Sequence, residues 1–273
     1  DEALVLRADL NEVRRAVVQR DDDMLTPQQM RDDWENVQAA MLKELQTWAK
    51  LTCFSRKPIS QAKNVIDTRW VIKYKWDQPA ATALGQSSGR RQVEAAQPIR
   101  TIRARLTVRG FKDREKADID RYAGTSSRCA QKLLVSEAAR HKLDLATTDI
   151  SKAFLQGVPY EVLAKLTGEK QREVNFYLPA SNVPLLRQKA GYESFDPTKE
   201  VLQCDKPGTG LVDAPRAFSL KLSMITKTKC GLMPSNVDQE LCFRHDAEGN
   251  LECIMTKHVD DLKIGRASCR ERV

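Results

Sequence analysis

Apolar residues recur along this chain with two different periods, and the switches between them lay out its elements. Trp34, Val37, Met41, Leu45 and Trp48 fall on one face of a helix. Thr26-Pro27 just ahead offers a cap and a first-turn proline, so the helix is predicted to start there. From Val65 the period drops to two. Over residues 69–76 Lys73 and Lys75 share one face while aromatics take the other, which predicts a strand. A second strand is predicted over 99–110, with Arg103 and Arg105 on the same side. The Ala/Gly/Ser/Gln-rich stretch 78–97 reads as the loop of a β-hairpin bearing cations.

The second half repeats the alternation. Ser126 or Ser127 caps a predicted helix to about His141, with Leu133, Leu134 and Ala138 inward. A strand over 143–149 follows and ends on Asp149, which shares a face with Leu143, Leu145 and Thr147. Residues 160–200 are mixed and polar and read as a short helix plus loops. Pro207-Gly208-Thr209-Gly210 is a turn-rich loop. A helix runs from Ala214 towards Lys229 and closes near Gly231. Strands at 242–243 and 253–258 are joined by a turn at 246–250. This order, βαβ followed by α and a β-hairpin, predicts an antiparallel sheet backed by helices, an α+β fold. Residues 1–23, charge-dense and ending in three aspartates, read as a frayed helix or linker.

Composition narrows the classes. With 273 residues, 41% of them hydrophobic, the chain can bury a core. The net charge of +8 is unevenly spread: residues 90–116 hold nine Lys/Arg against three acids. A basic block inside a folded domain fits a polyanion partner, and a solvated face is the plainer alternative. Seven cysteines without a C-x-x-C pair read as free thiols, with no zinc site expected. No apolar run approaches the roughly 18 to 20 residues of a membrane span. The chain opens Asp1-Glu2 without an initiator Met or an apolar leader, as a fragment of a longer reading frame would. Residues 264–273 resemble one frame of a sequencing-library adapter, so the last nine or ten are expected to be non-native, with an ordinary basic tail as the alternative.

The chemistry concentrates on aspartates. His258-Val259-Asp260-Asp261 sits between two apolar runs, where a hairpin tip would hold two carboxylates together. A third, Asp149, ends a predicted strand about a hundred residues earlier. Three carboxylates suit hard divalent cations over a phosphate chain: Asp149 and Asp260 are expected to bridge two ions, with Asp261 more distant. The plainer alternative is turn aspartates bonding to their own backbone. Phe154, five residues after Asp149, is a candidate plate against a ribose 2′-hydroxyl or else a core residue. Arg103 and Arg105 are candidates for the triphosphate of an incoming nucleotide, or for a phosphate backbone. Gly208 and Gly210 allow close backbone approach, to a nucleotide or within a simple turn.

With these residues in place, the chain resembles the reverse transcriptase of Ty1/copia-type LTR retrotransposons over roughly residues 34–264. Five segments occur in family order: the helix Trp34…Met41…Glu44…Trp48; Trp70-Val71-Ile72-Lys73 with Arg103-Ala104-Arg105-Leu106-Thr107-Val108-Arg109-Gly110-Phe111; Thr148-Asp149-Ile150-Ser151-Lys152-Ala153-Phe154-Leu155-Gln156-Gly157; Gly210-Leu211-Val212-Asp213-Ala214-Pro215-Arg216-Ala217-Phe218; and His258-Val259-Asp260-Asp261 at the Tyr-x-Asp-Asp box.

The resemblance implies a palm-and-fingers polymerase that copies an RNA or DNA template from a primer, using dNTPs and magnesium, with manganese as a substitute. Asp149, Asp260 and Asp261 would be catalytic metal ligands. Arg103, Arg105, Phe154 and Gly210 would contact the nucleotide, and His258 would lie near the primer end. The family's polyprotein adds protease, integrase and ribonuclease H parts, and works in the cytoplasm inside a virus-like particle or in the nucleus, with no membrane partner.

The partition expected from this is a linker at 1–23, the first helix and fingers hairpins at 24–125, the palm at 126–264 and the adapter-like tail at 265–273, with the thumb absent and activity of the isolated chain weak. His258 stands where the family has Tyr, and Phe218 where it has Trp. Residues 158–203 exceed the family's spacing and are expected to form an inserted surface element. The alternative is an inactive retroelement remnant that only binds nucleic acid.

Overall fold

The computed structural model describes residues 24–77 and 99–267. The expectations for 1–23, 78–98 and 268–273 fall outside them. In chain order the described elements are α1 (Pro27–Asp32), α2 (Trp34–Lys50), β1 (Phe54–Pro58), β2 (Val65–Asp77), β3 (Ile99–Val108), α3 (Arg128–Arg140), β4 (Asp144–Asp149), α4 (Tyr160–Thr167), β5 (Asn175–Tyr177), α5 (Val183–Arg187), β6 (Glu200–Cys204), α6 (Ala214–Thr228), β7 (Met233–Pro234), β8 (Leu241–His245), β9 (Leu251–His258) and β10 (Asp261–Arg266). The fold is α+β: two five-stranded sheets, ordered β1-β6-β5-β2-β3 and β4-β10-β9-β8-β7, with helices packed on them. Every strand pair is antiparallel except β2 with β5. Among the described residues no helix is long and apolar enough to cross a membrane.

The helix at Thr26 starts as its sequence requires. Thr26 Oγ1 accepts from the Gln29 amide (3.2 Å) and Gln29 Oε1 accepts from the Thr26 amide (2.8 Å), a reciprocal cap. The helix then breaks at Asp33 (φ −120°, ψ 40°) before α2 resumes. Val37, Met41, Leu45 and Trp48 bury the predicted stripe. Trp34 does not: the break leaves it 44% exposed, on the rim of a shallow groove with Met24 and Met30. A charged residue, Glu44, takes a place on the buried face instead.

The larger core lies between α2 and the first sheet. Trp48, Phe54 and Phe176 meet tilted or edge-on, Phe176 standing 6.0 Å from each of the others. Tyr192 closes on Phe54 at 5.5 Å. Each such side chain, when fully buried, contributes about 1.5–3 kcal/mol from water exclusion.

Phe176 and Tyr192 lie within the stretch expected to be a polar surface insertion, and that expectation is overturned. Val174, Phe176, Leu186, Val201 and Leu202 are fully buried. Residues 175–177 and 200–204 supply two strands that complete the first sheet, linking β1 to β2. Strands this short are hard to see in sequence, because three to five residues cannot show a period above the noise of their loops. The chain thus returns to the first sheet after residue 125, so strand membership crosses the expected partition there.

The second sheet is covered on both faces because β9 alternates. Ile254 points to α3, meeting Leu134 and Ala138, whereas Cys253 and Met255 point to Phe218 and Leu222 of α6. Ser127 caps α3 by accepting from the Ala130 amide at 3.1 Å. Leu133, expected inward, is 39% exposed, because the helix face toward the sheet runs through Ala130, Leu134 and Ala138.

Gly265 and Arg266 continue β10, paired with Leu145 and Asp144 on one side and Ile254 and Cys253 on the other. Gly265 packs closely enough that a Cβ would sit 3.1 Å from Ile254 Cγ2. These two residues are thus part of the second sheet.

Candidate functional site

Strand pairing decides which aspartates meet. β4 ends at Asp149 and β10 begins at Asp261, and the antiparallel register sets these two directly opposite each other. Residues so placed share a face with Cβ atoms about 5 Å apart. On its other side Asp261 pairs with His258, so Asp149, Asp261 and His258 form one row across three strands. Val259 and Asp260 make the two-residue turn between β9 and β10. The Asp260 carbonyl accepts from the Ile150 amide at 3.0 Å, which ties the turn to the end of β4. Residues 149, 260 and 261 therefore converge at one end of the second sheet.

Val259 has φ +59°. A two-residue hairpin loop needs positive φ at its first position, which glycine usually supplies. A β-branched residue there costs on the order of 1–3 kcal/mol. Two further backbone contacts hold the turn: the Val259 amide donates to Gly124 O (3.3 Å), and Thr125 bridges His258. The Ser126 amide donates to Lys257 O at 2.9 Å. The segment leading into α3 thus lies along the last residues of β9.

Asp149 and Asp261 are exposed and Asp260 is half-buried. Among the described residues no hydrogen bond or ion pair engages their carboxylates. Nor, among those residues, are three His, Cys, Asp or Glu side chains already set as a closed metal cage. Unpartnered aspartates reach a ligand by rotating about χ1, so backbone separation decides whether they can share an ion, and cross-strand pairing keeps it short. The donor set is all carboxylate oxygen, the chemistry that suits magnesium or manganese and not softer metals.

Beneath the turn lies a buried charge pair. Lys257 and Glu240 are nearly sealed from solvent, with Nζ 2.9 Å from Glu240 Oε2 in an ion pair that lacks hydrogen-bond alignment. Lys257 Nζ also donates to Ser223 Oγ of α6 at 2.8 Å. Gly124 makes room for this pair, since a Cβ there would fall 1.7 Å from Glu240 Oε1.

A second polar link runs from the end of β4 to the first core. Lys152, in the left-handed region at φ +56°, donates to Glu44 Oε2, while Trp48 Nε1 donates to Glu44 Oε1 at 3.2 Å. Sequence reasoning assigned no role to Glu44 or Lys152. The available signal was a carboxylate on an otherwise apolar helical stripe. Arg172 forms a third junction, donating to Asp113 after β3 and to Asp213 ahead of α6. Burial pushes the Asp213 carboxyl up against the pull of Arg172, and burial likewise raises the Tyr160 phenol nearby.

Phe154 is half-buried, packed against the cluster that holds Phe218 and Leu262. Arg103 and Arg105 are exposed on β3, in the other sheet from the aspartates. Gly210 has φ +97°, and a Cβ there would fall 2.1 Å from Val108 O. Its neighbour Thr209 accepts from the Val108 amide at 2.9 Å. The glycine is thus accounted for by close packing of its loop on β3. No family model matches the chain, and no curated protein matches it.

Proposed function

We propose that this chain is a palm-and-fingers part of a copia-type reverse transcriptase, an RNA-directed DNA polymerase acting on a primed RNA or DNA template with dNTPs. The observation that carries the proposal is the register setting Asp149 opposite Asp261 beside the Asp260 turn. Those three carboxylates would hold magnesium or manganese. Bound there, the ions supply charge stabilisation for the attacking and leaving oxygens of nucleotidyl transfer.

The chain's own residues do the positioning. Val259, Gly124 and Thr125 fix the turn. The Lys257–Glu240 pair fills the space beneath it. His258, exposed beside Asp261, offers a flat polar surface towards a primer end. Phe154, five residues beyond Asp149, is assigned to the sugar of the incoming nucleotide. In this reading the second sheet with α3 and α6 is the palm, and the β2–β3 hairpin belongs to the fingers.

The test combines metal binding with synthesis. Wild-type protein should bind manganese saturably, followed by its electron paramagnetic resonance signal, and should extend a primer at a low rate. Asp260→Asn should lose extension and weaken manganese binding while holding template–primer as before. A wild type that neither binds manganese nor extends a primer, yet still binds nucleic acid, would replace this reading with that of an inactive remnant.

A further inference from the structure

The short segment between Asp149 and Phe154 enters a turn that straddles two hydrophobic clusters. Ala153 is buried in the cluster between the second sheet and α6, and Leu155 in the cluster between α2 and the first sheet. Phe154, between them, is half-buried against the α6 cluster. Backbone bonds tie the segment at both ends. The Ile150 amide donates to Asp260 O at 3.0 Å, and the Val158 amide donates to Ala217 O at 3.2 Å. Between these ties the chain passes through Lys152 at φ +56° into a single helical turn over Ala153–Gln156. There the Leu155 amide donates to Lys152 O at 3.0 Å.

A non-glycine residue in the left-handed region is strained, and it persists where its surroundings impose it. At Lys152 the side chain supplies the constraint. Its ammonium donates to Glu44 Oε2, while Trp48 Nε1 holds Glu44 Oε1 at 3.2 Å. The Glu44 side chain is 2% exposed and that of Lys152 41%. The carboxylate is thus the fixed member, built into α2, and the ammonium is brought to it.

Stability alone does not call for such a pair. Burying a carboxylate carries a desolvation cost that an ion pair at best offsets, and apolar side chains of similar volume would join the clusters as well. What the pair adds is one defined geometry, because the ammonium must reach one particular oxygen. Lys152 passes that geometry to the backbone three residues after Asp149 and two before Phe154. At no more than about 3.6 Å per residue, it lies within roughly 11 Å of the first and 7 Å of the second. Neither can shift far without moving Lys152.

We infer that Glu44 is a positioning residue. Through Lys152 it fixes the turn that carries Phe154 against the strand end that carries Asp149. It thereby sets the separation between the metal-binding carboxylates and the sugar of an incoming nucleotide. The consequence for metal and sugar rests on the proposed polymerase function, whereas the hold of the pair on the turn does not.

The experiment compares wild type with Glu44→Gln, which keeps the shape of the buried side chain and removes its charge. Val37→Ala is the control: it loosens the same buried stripe of α2 without touching the pair. The readouts are hydrogen exchange at the Leu155 amide, saturable manganese binding, and incorporation of dNTPs against rNTPs in primer extension. Glu44→Gln should speed exchange at Leu155, weaken manganese binding roughly tenfold and narrow sugar discrimination by a similar factor. Adding Lys152→Met to it should cost little more, since the two side chains act as a unit. Val37→Ala should lower Tm and leave manganese affinity and sugar discrimination as in wild type. Unchanged exchange at Leu155 in Glu44→Gln would overturn the inference. So would faster exchange with manganese affinity and discrimination intact, an equal loss in Val37→Ala, or a full further loss on adding Lys152→Met. A wild type that binds no manganese is a separate failure, of the aspartate centre itself, and it removes this inference along with that centre.

Discussion

Asp149 and Asp261 stand opposite each other with no cation among the described residues between them, and that repulsion makes a measurable prediction. Two unit charges about 5 Å apart in a water-like medium repel by roughly 0.8 kcal/mol. Like charges directly opposite in paired strands destabilise by about 0.2–1 kcal/mol, the same scale. Asp261→Asn should therefore stabilise the metal-free protein by about 0.5 kcal/mol, raising Tm by roughly 1–2 °C for a chain of this size.

Divalent metal should reverse the order. A ligand present at about 100 times its Kd stabilises the folded state by about 2.7 kcal/mol, or roughly 5–10 °C. The wild type should gain this with saturating manganese or magnesium, and Asp261→Asn should gain much less. Scanning calorimetry in EDTA and then in metal reads both halves. An Asp261→Asn protein less stable than wild type in EDTA would mean the carboxylate has a stabilising partner. Equal metal-induced gains in both proteins would place the bound ion elsewhere. Either result breaks the reasoning from strand register to a shared ion.

Other outcomes follow from single positions. Gly210→Ala should destabilise by about 3 kcal/mol or more in urea unfolding, because φ +97° and the carbonyl of Val108 both exclude a Cβ. Val259→Gly should stabilise by about 1 kcal/mol, relief of backbone strain outweighing the entropy glycine adds to the unfolded chain. The Lys57 ammonium, 2.8 Å from Glu173, together with the Lys63 amide and Asn175, holds the Glu173 carboxyl down at about 2. Since the folded value lies below the unfolded one, this stabilisation is complete above the ordinary value of about 4.5 and fades as pH falls towards about 2. The stability difference between wild type and Glu173→Gln should shrink across that window, measured by urea unfolding at a series of pH values. A difference constant with pH would deny Glu173 its ion pair.

Local rules made much of this fold legible. The Thr26 cap, the α2 stripe, the alternation of β2 and β3, the Ser127 cap and the turn between β8 and β9 each depend on neighbours within a few residues. A short stretch of sequence carries enough of that pattern to be read. Short β5 and β6 escaped because three to five residues hold too little period. Trp34 escaped because helical spacing cannot register the break at Asp33. Gly265 and Arg266 were set aside for their resemblance to an adapter, and their pairing with β4 and β9 makes them strand.

What the amino-acid order alone determined was the inventory: three aspartates in two segments, a cationic strand face and a helix with one carboxylate on its apolar side. Only the tertiary structure decided their neighbours. Antiparallel pairing of β10 with β4 set Asp261 opposite Asp149, and a contact between helix and loop joined Glu44 to Lys152. Packing of one loop on β3 claimed Gly210. Partners a hundred residues apart are selected by which faces must be buried together, and that choice belongs to the whole chain.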